Sequence, residues 1–249
     1  MMSELRGKVC LVTAGSRTLG AEITRQMARE GVHVVVNYHQ SKDAALHLCG
    51  QLKDLRVRAI PVKADVTQPD PVEHLVNVAM DEFGRIDILV NNYGPYVDTG
   101  FLDLDLKDFD RVLAGNLRST FLMTQTVGRV MKNQGFGHII NIAATDFKHR
   151  SHSVYGLAKS GLVYFTEAIA LELAPQVNVF GLAPDLIADN EDMSPEFVNQ
   201  SENATPKGRL VTRVEIAKMA CALCKPVFDM ATGQTILLDG GRSIPKIAI

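Results

Sequence analysis

The sequence predicts a doubly wound α/β fold: a parallel sheet of about seven strands with helices on both faces. Three observations carry this. Short apolar runs alternate with amphipathic stretches from one end of the chain to the other. The runs are continuously apolar rather than alternating, as in parallel strands covered on both sides. The chain has 249 residues, 46% hydrophobic and 22% charged, enough for one large core.

In chain order, the strands are expected at Lys8–Thr13, Val32–Asn37, Arg58–Lys63, Ile86–Asn91, His138–Ala143, Val177–Leu182 and Thr235–Asp239. The helices are expected at Leu19–Glu30, Lys42–Leu55, Pro71–Phe83, Leu106–Asn133, Val154–Ala174 and Arg213–Cys224, each with apolar residues recurring on one face. No linker or repeat divides the chain, so residues 1–249 read as one domain. The exception to the alternation is Asp185–Gly208, rich in Asn, Glu, Ser and Pro and read as irregular. A stretch that long after a strand at the binding edge reads as a lid, covering about residues 185–212. In a doubly wound sheet, ligands sit outside the carboxyl ends of the strands.

Composition excludes several classes of function. The net charge is -2 with acids and bases intermixed, so neither a nucleic-acid nor a membrane surface is expected. No apolar run approaches a membrane span, and no secretory signal pattern opens the chain, so a cytoplasmic setting is expected. Cys221 and Cys224 form a C-x-x-C spacing inside an apolar helix pattern, which reads as buried structural thiols; no metal site is expected.

The chemistry gathers at two places. Tyr155 and Lys159 stand four residues apart on a helix, so phenol and ammonium address one site. A lysine charge there should lower the tyrosine pKa and suit it to general-acid work on a carbonyl becoming an alkoxide. Upstream, Val12 to Gly20 closes the first strand and opens the first helix. Backbone amides at such a turn, with the helix N-terminus, make an anion site suited to a pyrophosphate. Its spacing departs from G-x-G-x-x-G, with glycine only at Gly15 and Gly20.

Taken together, these motifs resemble the short-chain dehydrogenase/reductase family from end to end, which implies a Rossmann-type fold. Thr13 to Gly20 resembles T-G-x-x-x-G-x-G, with Gly15, Ser16, Arg17 and Leu19 inside it; Asp65-Val66 matches the adenine contact. Asn91-Asn92-Tyr93-Gly94 resembles N-N-A-G, Asn116 the helix asparagine, and Tyr155 with Lys159 the catalytic pair. Pro184 and Ile187 match the segment that meets the nicotinamide amide, and Asp239-Gly240-Gly241 the closing D-G-G. The resemblance implies that Tyr155 protonates the substrate oxygen, Lys159 binds ribose and tunes Tyr155, and Asn116 holds a water that links Lys159 to solvent.

Cofactor choice follows from charge. After the second strand stand Asn37 and Tyr38, with no acid before Asp43, while Arg17 sits where relatives pair a 2′-phosphate. NADP(H) is therefore expected over NAD(H).

The departures cluster at the substrate end. The family's serine after the fifth strand is replaced: strand alignment gives Ala144, and counting back from Tyr155 gives Ile142. Thr145 or Asp146 are the candidates to stand in, with Ser151 and Ser153 weaker ones. Tyr93 adds bulk beside the cofactor, Asp185 replaces the glycine after Pro184, and Tyr96 offers an aromatic face.

The first reading is a β-ketoacyl reductase-like enzyme acting on a small carbonyl or alcohol. Arg129 and Lys132 fall near that subgroup's carrier-protein contacts. The acidic lid (Asp185, Asp189, Glu191, Asp192, Glu196, Glu202) disfavours an acidic carrier protein, so a free small molecule is expected. A pteridine reductase-like activity using Asp146 and Tyr96, and a weakly catalytic NADP(H)-binding sensor or assembly protein, are the alternatives. By resemblance the chain forms a homotetramer or dimer through Leu106–Asn133 and Val154–Ala174, with apolar Ile244–Ile249 buried against a neighbour.

Overall fold

The computed structural model describes residues 3–149, 153–190 and 193–245. Seven parallel strands run β1 (Val9–Val12), β2 (His33–Tyr38), β3 (Ala59–Lys63), β4 (Ile88–Asn91), β5 (Gly137–Ile142), β6 (Val177–Pro184) and β7 (Thr235–Leu238). Their spatial order is β3-β2-β1-β4-β5-β6-β7, so the winding reverses between β1 and β4. The crevice outside the carboxyl ends of those two strands is where such a sheet takes a ligand.

Alternating side chains of each strand build two separate cores. Cys10, Val12, Val34, Val36, Ile88 and Val90 pack toward helices α1 (Thr18–Arg29), α2 (Lys42–Leu52) and α9 (Arg213–Leu223). Val9, Leu11, Val35, Leu89 and Ile139 pack toward α3 (Pro69–Phe83), α5 (Ser119–Gln134) and α7 (Val154–Leu173). This two-sided burial is why the strands read as unbroken apolar runs. Cys221 and Cys224 are buried in the first of these cores, each with a short contact to Met27 Sδ or the Ala220 carbonyl.

Three differences from the sequence reading bear on the site. The long helix expected over Leu106–Asn133 is α4 (Leu106–Leu113) joined to α5 through a π turn at Ala114–Arg118. The stretch read as irregular contains α8 (Pro195–Ala204), capped by Ser194, whose Oγ accepts from the Phe197 amide at 3.2 Å. Its polar composition hides a weak apolar face. A further short helix, α6 (Asp146–His149), follows β5. Ser151, Glu191, Asp192 and the last residues of Ile244–Ile249 lie outside the described residues.

Candidate active site

The turn after β1 is built from unusual backbone. Ala14 and Thr18, standing where the family pattern has glycines, both adopt left-handed conformations, with φ of 48° and 45°. Thr13 anchors the turn from behind: its Oγ1 accepts from the amides of Asn92 (2.9 Å) and Tyr93 (3.1 Å). Asn92 Nδ2 donates to the Thr13 carbonyl at 3.1 Å, tying β4 to the turn. A Cβ on Gly20 would lie 2.7 Å from Asn92 Nδ2 and closer still to the Ala14 carbonyl, so only glycine lets α1 start so near the turn.

A cleft of about 500 Å³ opens over this turn. Ser16, Arg17, Asn37, Tyr38, Asp65, Val66, Asn92, Tyr93 and Gly94 line it. Gly15, Leu19 and Thr13 shape the turn from below, and Leu19 belongs to the core. Asn37 is committed to the protein: its Oδ1 accepts from the Ala14 amide at 3.1 Å and its Nδ2 donates to the Ala64 carbonyl at 3.1 Å. Burial pushes the Asp65 carboxyl up, but hydrogen bonds from the Thr67 hydroxyl and amide overcome it and hold the group below its usual range. His39, Gln40 and Ser41 also line the cleft and escaped the sequence reading. Only their place just beyond β2 could have signalled them. Ser41 meets Ser16 hydroxyl to hydroxyl at 2.8 Å.

At the other end, α7 begins at Ser153, whose Oγ accepts from the Gly156 amide at 3.1 Å and fixes the first turn that carries Tyr155. One turn on, Lys159 is buried and its Nζ donates to the Ile142 carbonyl at 2.7 Å. Burial lowers the Lys159 pKa to about 8 against the opposing pull of Asp146. The Nζ stands 5.4 Å from the Tyr155 ring centroid. The expected lowering of the Tyr155 pKa is reversed. Desolvation, then the charge of Asp146 and the neighbouring Tyr96, pushes the phenol up.

Asn116 lies in the π turn with its Nδ2 donating to the Pro95 and Val112 carbonyls, both at 3.0 Å. Its Oδ1 is buried with no hydrogen-bond partner among the described residues. Gly94 faces both groups: an added Cβ would sit 2.9 Å from Asn116 Cγ and 3.3 Å from Lys159 Nζ. Asn116, Lys159, Tyr155 and Gly94 thus converge next to the cleft.

Ala144, beyond β5, is buried and offers no hydroxyl. Thr145 turns its hydroxyl to Asp185 Oδ1 at 2.9 Å, and Arg242 Nη1 meets Asp185 Oδ2 at 3.4 Å, bridging the carboxyl ends of β5, β6 and β7. Pro184 ends β6, and Ile187 pairs with Val211 across the following segment. Tyr96 packs edge-on against Tyr155, ring centroids 5.0 Å apart.

The family described as enoyl-(acyl carrier protein) reductase matches residues 13–243. A 3-oxoacyl-[acyl-carrier-protein] reductase of Synechocystis sp. is 36% identical over 246 residues, covering 96% of this chain and 98% of the relative. The chain belongs to the short-chain dehydrogenase/reductase family. Solved members share its fold. A 3-ketoacyl-(acyl-carrier-protein) reductase from Brucella melitensis, complexed with NADH, superposes with a TM-score of 0.88 at 31% identity, covering 97% of this chain and 100% of that one. A gluconate 5-dehydrogenase from Burkholderia cenocepacia, in complex with NADP and tartrate, gives 0.91 at 26% identity, covering 98% and 99%. The chain is accordingly an oxidoreductase acting on CH–OH and C=O groups. No helix among the described residues is long and apolar enough to cross a membrane.

Proposed function

We propose that this chain is an NADP(H)-dependent oxidoreductase of a small carbonyl or alcohol, with Tyr155 as its general acid and base. The observation that carries the reading is the convergence of Tyr155, buried Lys159 and the orphaned Asn116 Oδ1 beside a cleft at the switch point of the sheet. The residues fit a dinucleotide: the cleft is long enough to be lined from Arg17 to Gly94, and Gly20 and Gly94 keep it clear of side chains. Arg17, His39 and Ser41 would hold a 2′-phosphate, and Asp65 with Val66 the adenine. Pro184 and Ile187 would border the nicotinamide. Such a cofactor supplies or accepts the hydride.

In the reducing direction, Tyr155 gives its proton to the carbonyl oxygen as that oxygen gains charge. Lys159, held by the Ile142 carbonyl and with a pKa brought near neutrality, stands ready to return a proton toward Tyr155. Asn116 is a positioning residue: its free Oδ1 suits a bridging water that connects Lys159 to solvent. Without a hydroxyl at Ala144, the substrate oxygen depends on Tyr155 alone among these groups. Residues 1–249 act as one domain, and the segment 185–212, with α8 in it, serves as the substrate lid.

Self-association fits the outer face of α7, where Leu157, Tyr164 and Leu171 recur every seven residues at 49%, 75% and 84% exposure. Phe121 of α5 extends the apolar face through its contact with Phe165. A paired-helix dimer or tetramer would cover them. Four buried, unpaired thiols suit a reducing cytoplasm.

The test is cofactor-resolved. NADPH should bind at least tenfold tighter than NADH, and Arg17→Ala should lose that preference, by calorimetry. Carbonyl-dependent NADPH oxidation should accompany binding. Equal affinity for both cofactors would remove the NADP(H) assignment. Tight binding with no turnover on any carbonyl would favour a binding protein instead.

A further inference from the structure

The carboxyl ends of β5, β6 and β7 are joined twice, once by backbone and once by side chains. The sheet pairing runs on past the strands: the Thr145 amide donates to the Pro184 carbonyl at 3.3 Å, and the Asp185 amide to the Leu238 carbonyl at 3.2 Å. Along the same line, the buried Thr145 hydroxyl donates to Asp185 Oδ1 at 2.9 Å, and Arg242 Nη1 donates to Oδ2 at 3.4 Å. The Asp185 side chain is only 12% exposed, so these charge-assisted bonds count for more than they would on an open surface. Arg242 is itself held in place. Asp239 accepts from the Gly241 amide at 2.9 Å and the Ser243 amide at 3.0 Å, in a turn that needs left-handed backbone at Gly240 (φ 59°) and Gly241 (φ 87°). A hydroxyl has one proton to give, so Thr145 cannot stand in for the serine that Ala144 replaces while it donates to Asp185.

We propose that Asp185 is a positioning residue for hydride transfer: bonded to Thr145 and braced by Arg242, it holds the end of β5 and the segment after β6 at one fixed separation. The proposal rests on the function proposed above. Two placements give this link its leverage. The Ile142 carbonyl, which holds Lys159 Nζ at 2.7 Å, lies three residues before Thr145, so the end of β5 carries the proton-handling group. The segment after β6 carries Pro184 and Ile187, proposed to border the nicotinamide, and Asp185 lies between them. The Thr145–Asp185 bond therefore ties together the two parts of the site that must meet for reduction. Asp185 stands where the family pattern has glycine, which has no side chain to make such a link. The link also answers the missing hydroxyl at Ala144: with one donor fewer on the substrate oxygen, alignment falls more heavily on the frame. A shift of about 1 Å in such a frame can cost about 10²-fold in rate. Asp185 itself exchanges no proton and no electron.

The experiment uses the full chain loaded with NADPH, or with NADH if that binds more tightly. Thr145→Val keeps the shape and loses the hydroxyl, Thr145→Ser keeps the hydroxyl, and Asp185→Ala removes its acceptor. Single-turnover hydride transfer to a carbonyl that wild type reduces should slow by about tenfold in Thr145→Val and in Asp185→Ala, part of the loss a full 1 Å shift would bring. Cofactor affinity should hold, and Thr145→Ser should keep the wild-type rate. The double variant Thr145→Val with Asp185→Ala should be no slower than the slower single one, since both remove the same link. A merely structural link would lower Tm and leave the transfer rate of the folded protein unchanged, which overturns the proposal. So would a loss confined to cofactor affinity, additive losses, or a Thr145→Ser variant as slow as Thr145→Val. If wild type reduces no carbonyl, the proposed function fails separately, and time-resolved fluorescence anisotropy of the bound reduced cofactor decides. Faster local motion of the nicotinamide in Thr145→Val and Asp185→Ala, but not in Thr145→Ser, sustains the proposal, and identical decays end it. Failure to bind either cofactor ends both.

Discussion

Gly94→Ala probes the point where cofactor cleft and proton-handling residues meet. The added Cβ would stand 2.9 Å from Asn116 Cγ, closer still to its Oδ1, and 3.3 Å from Lys159 Nζ. Neither neighbour can swing away cheaply. Asn116 is pinned by two 3.0 Å hydrogen bonds to the Pro95 and Val112 carbonyls, and Lys159 by its 2.7 Å bond to the Ile142 carbonyl. Overpacking of this kind typically costs about 1–3 kcal/mol. At about 2 kcal/mol, a chain of this size should lose about 4–8 °C in Tm. The assay is urea denaturation of the cofactor-free protein as a double-mutant cycle with Asn116→Ala. Truncating Asn116 removes the atoms that clash, so the double variant should be about 1 kcal/mol or more better than the sum of the singles. Strict additivity, or a Gly94→Ala protein as stable as wild type, would refute the packing argument.

Other consequences are equally open to measurement. Thr18 is β-branched with φ at 45°, a conformation that costs about 1–2 kcal/mol for residues with a Cβ. Thr18→Gly should therefore stabilise by roughly 0.5–1 kcal/mol after the entropy glycine adds to the unfolded chain, and more than Ala14→Gly does; thermal melts decide. Burial lowers the His138 pKa from 6.5 to about 4, so the unfolded chain alone takes up a proton between those values and stability falls as pH drops. That loss should reach about 2 kcal/mol by pH 5 and vanish in His138→Leu, as read from urea midpoints at pH 7 and 5. Lys159, lowered from 10.5 to about 8, works in the basic range: its burial penalty is full below pH 8 and is relieved as pH rises toward 10.5. The stability of wild type relative to Lys159→Met should accordingly improve from pH 8 to 10. Ala144→Ser supplies the absent donor and should raise kcat by about tenfold or more, since removing such a donor costs about 10²–10³; an unchanged rate would mean that the oxygen sits elsewhere.

Much of this molecule is legible in the chain because its physics is local. Runs such as Val32–Asn37 and His138–Ala143 are buried on both faces, so their apolar character is unbroken and their limits fall within a residue or two of the strands. Tyr155 and Lys159 share a helix face, and spacing alone brings them together. What escaped depends on long-range geometry. The π turn at Ala114–Arg118 leaves no compositional trace, since Asn116 is held there by carbonyls of Pro95 and Val112. The Lys159 bond to the Ile142 carbonyl involves a backbone atom with no signature, and the burial that raises the Tyr155 pKa comes from tertiary packing that helix spacing does not show. His39 and Ser41 carry no motif and enter the cleft only because β2 ends beside the β1 turn. Thr145 and Asp185 look like separate substitutions in sequence, forty residues apart, yet they are bonded partners.

The most direct test of the central claim is NADPH oxidation over a broad carbonyl panel by wild type and Tyr155→Phe, with NADPH affinity measured on both. The account requires Tyr155→Phe to bind NADPH as wild type does while losing turnover by about 10²–10⁴, the usual worth of a positioned acid. Turnover by Tyr155→Phe within tenfold of wild type would contradict it.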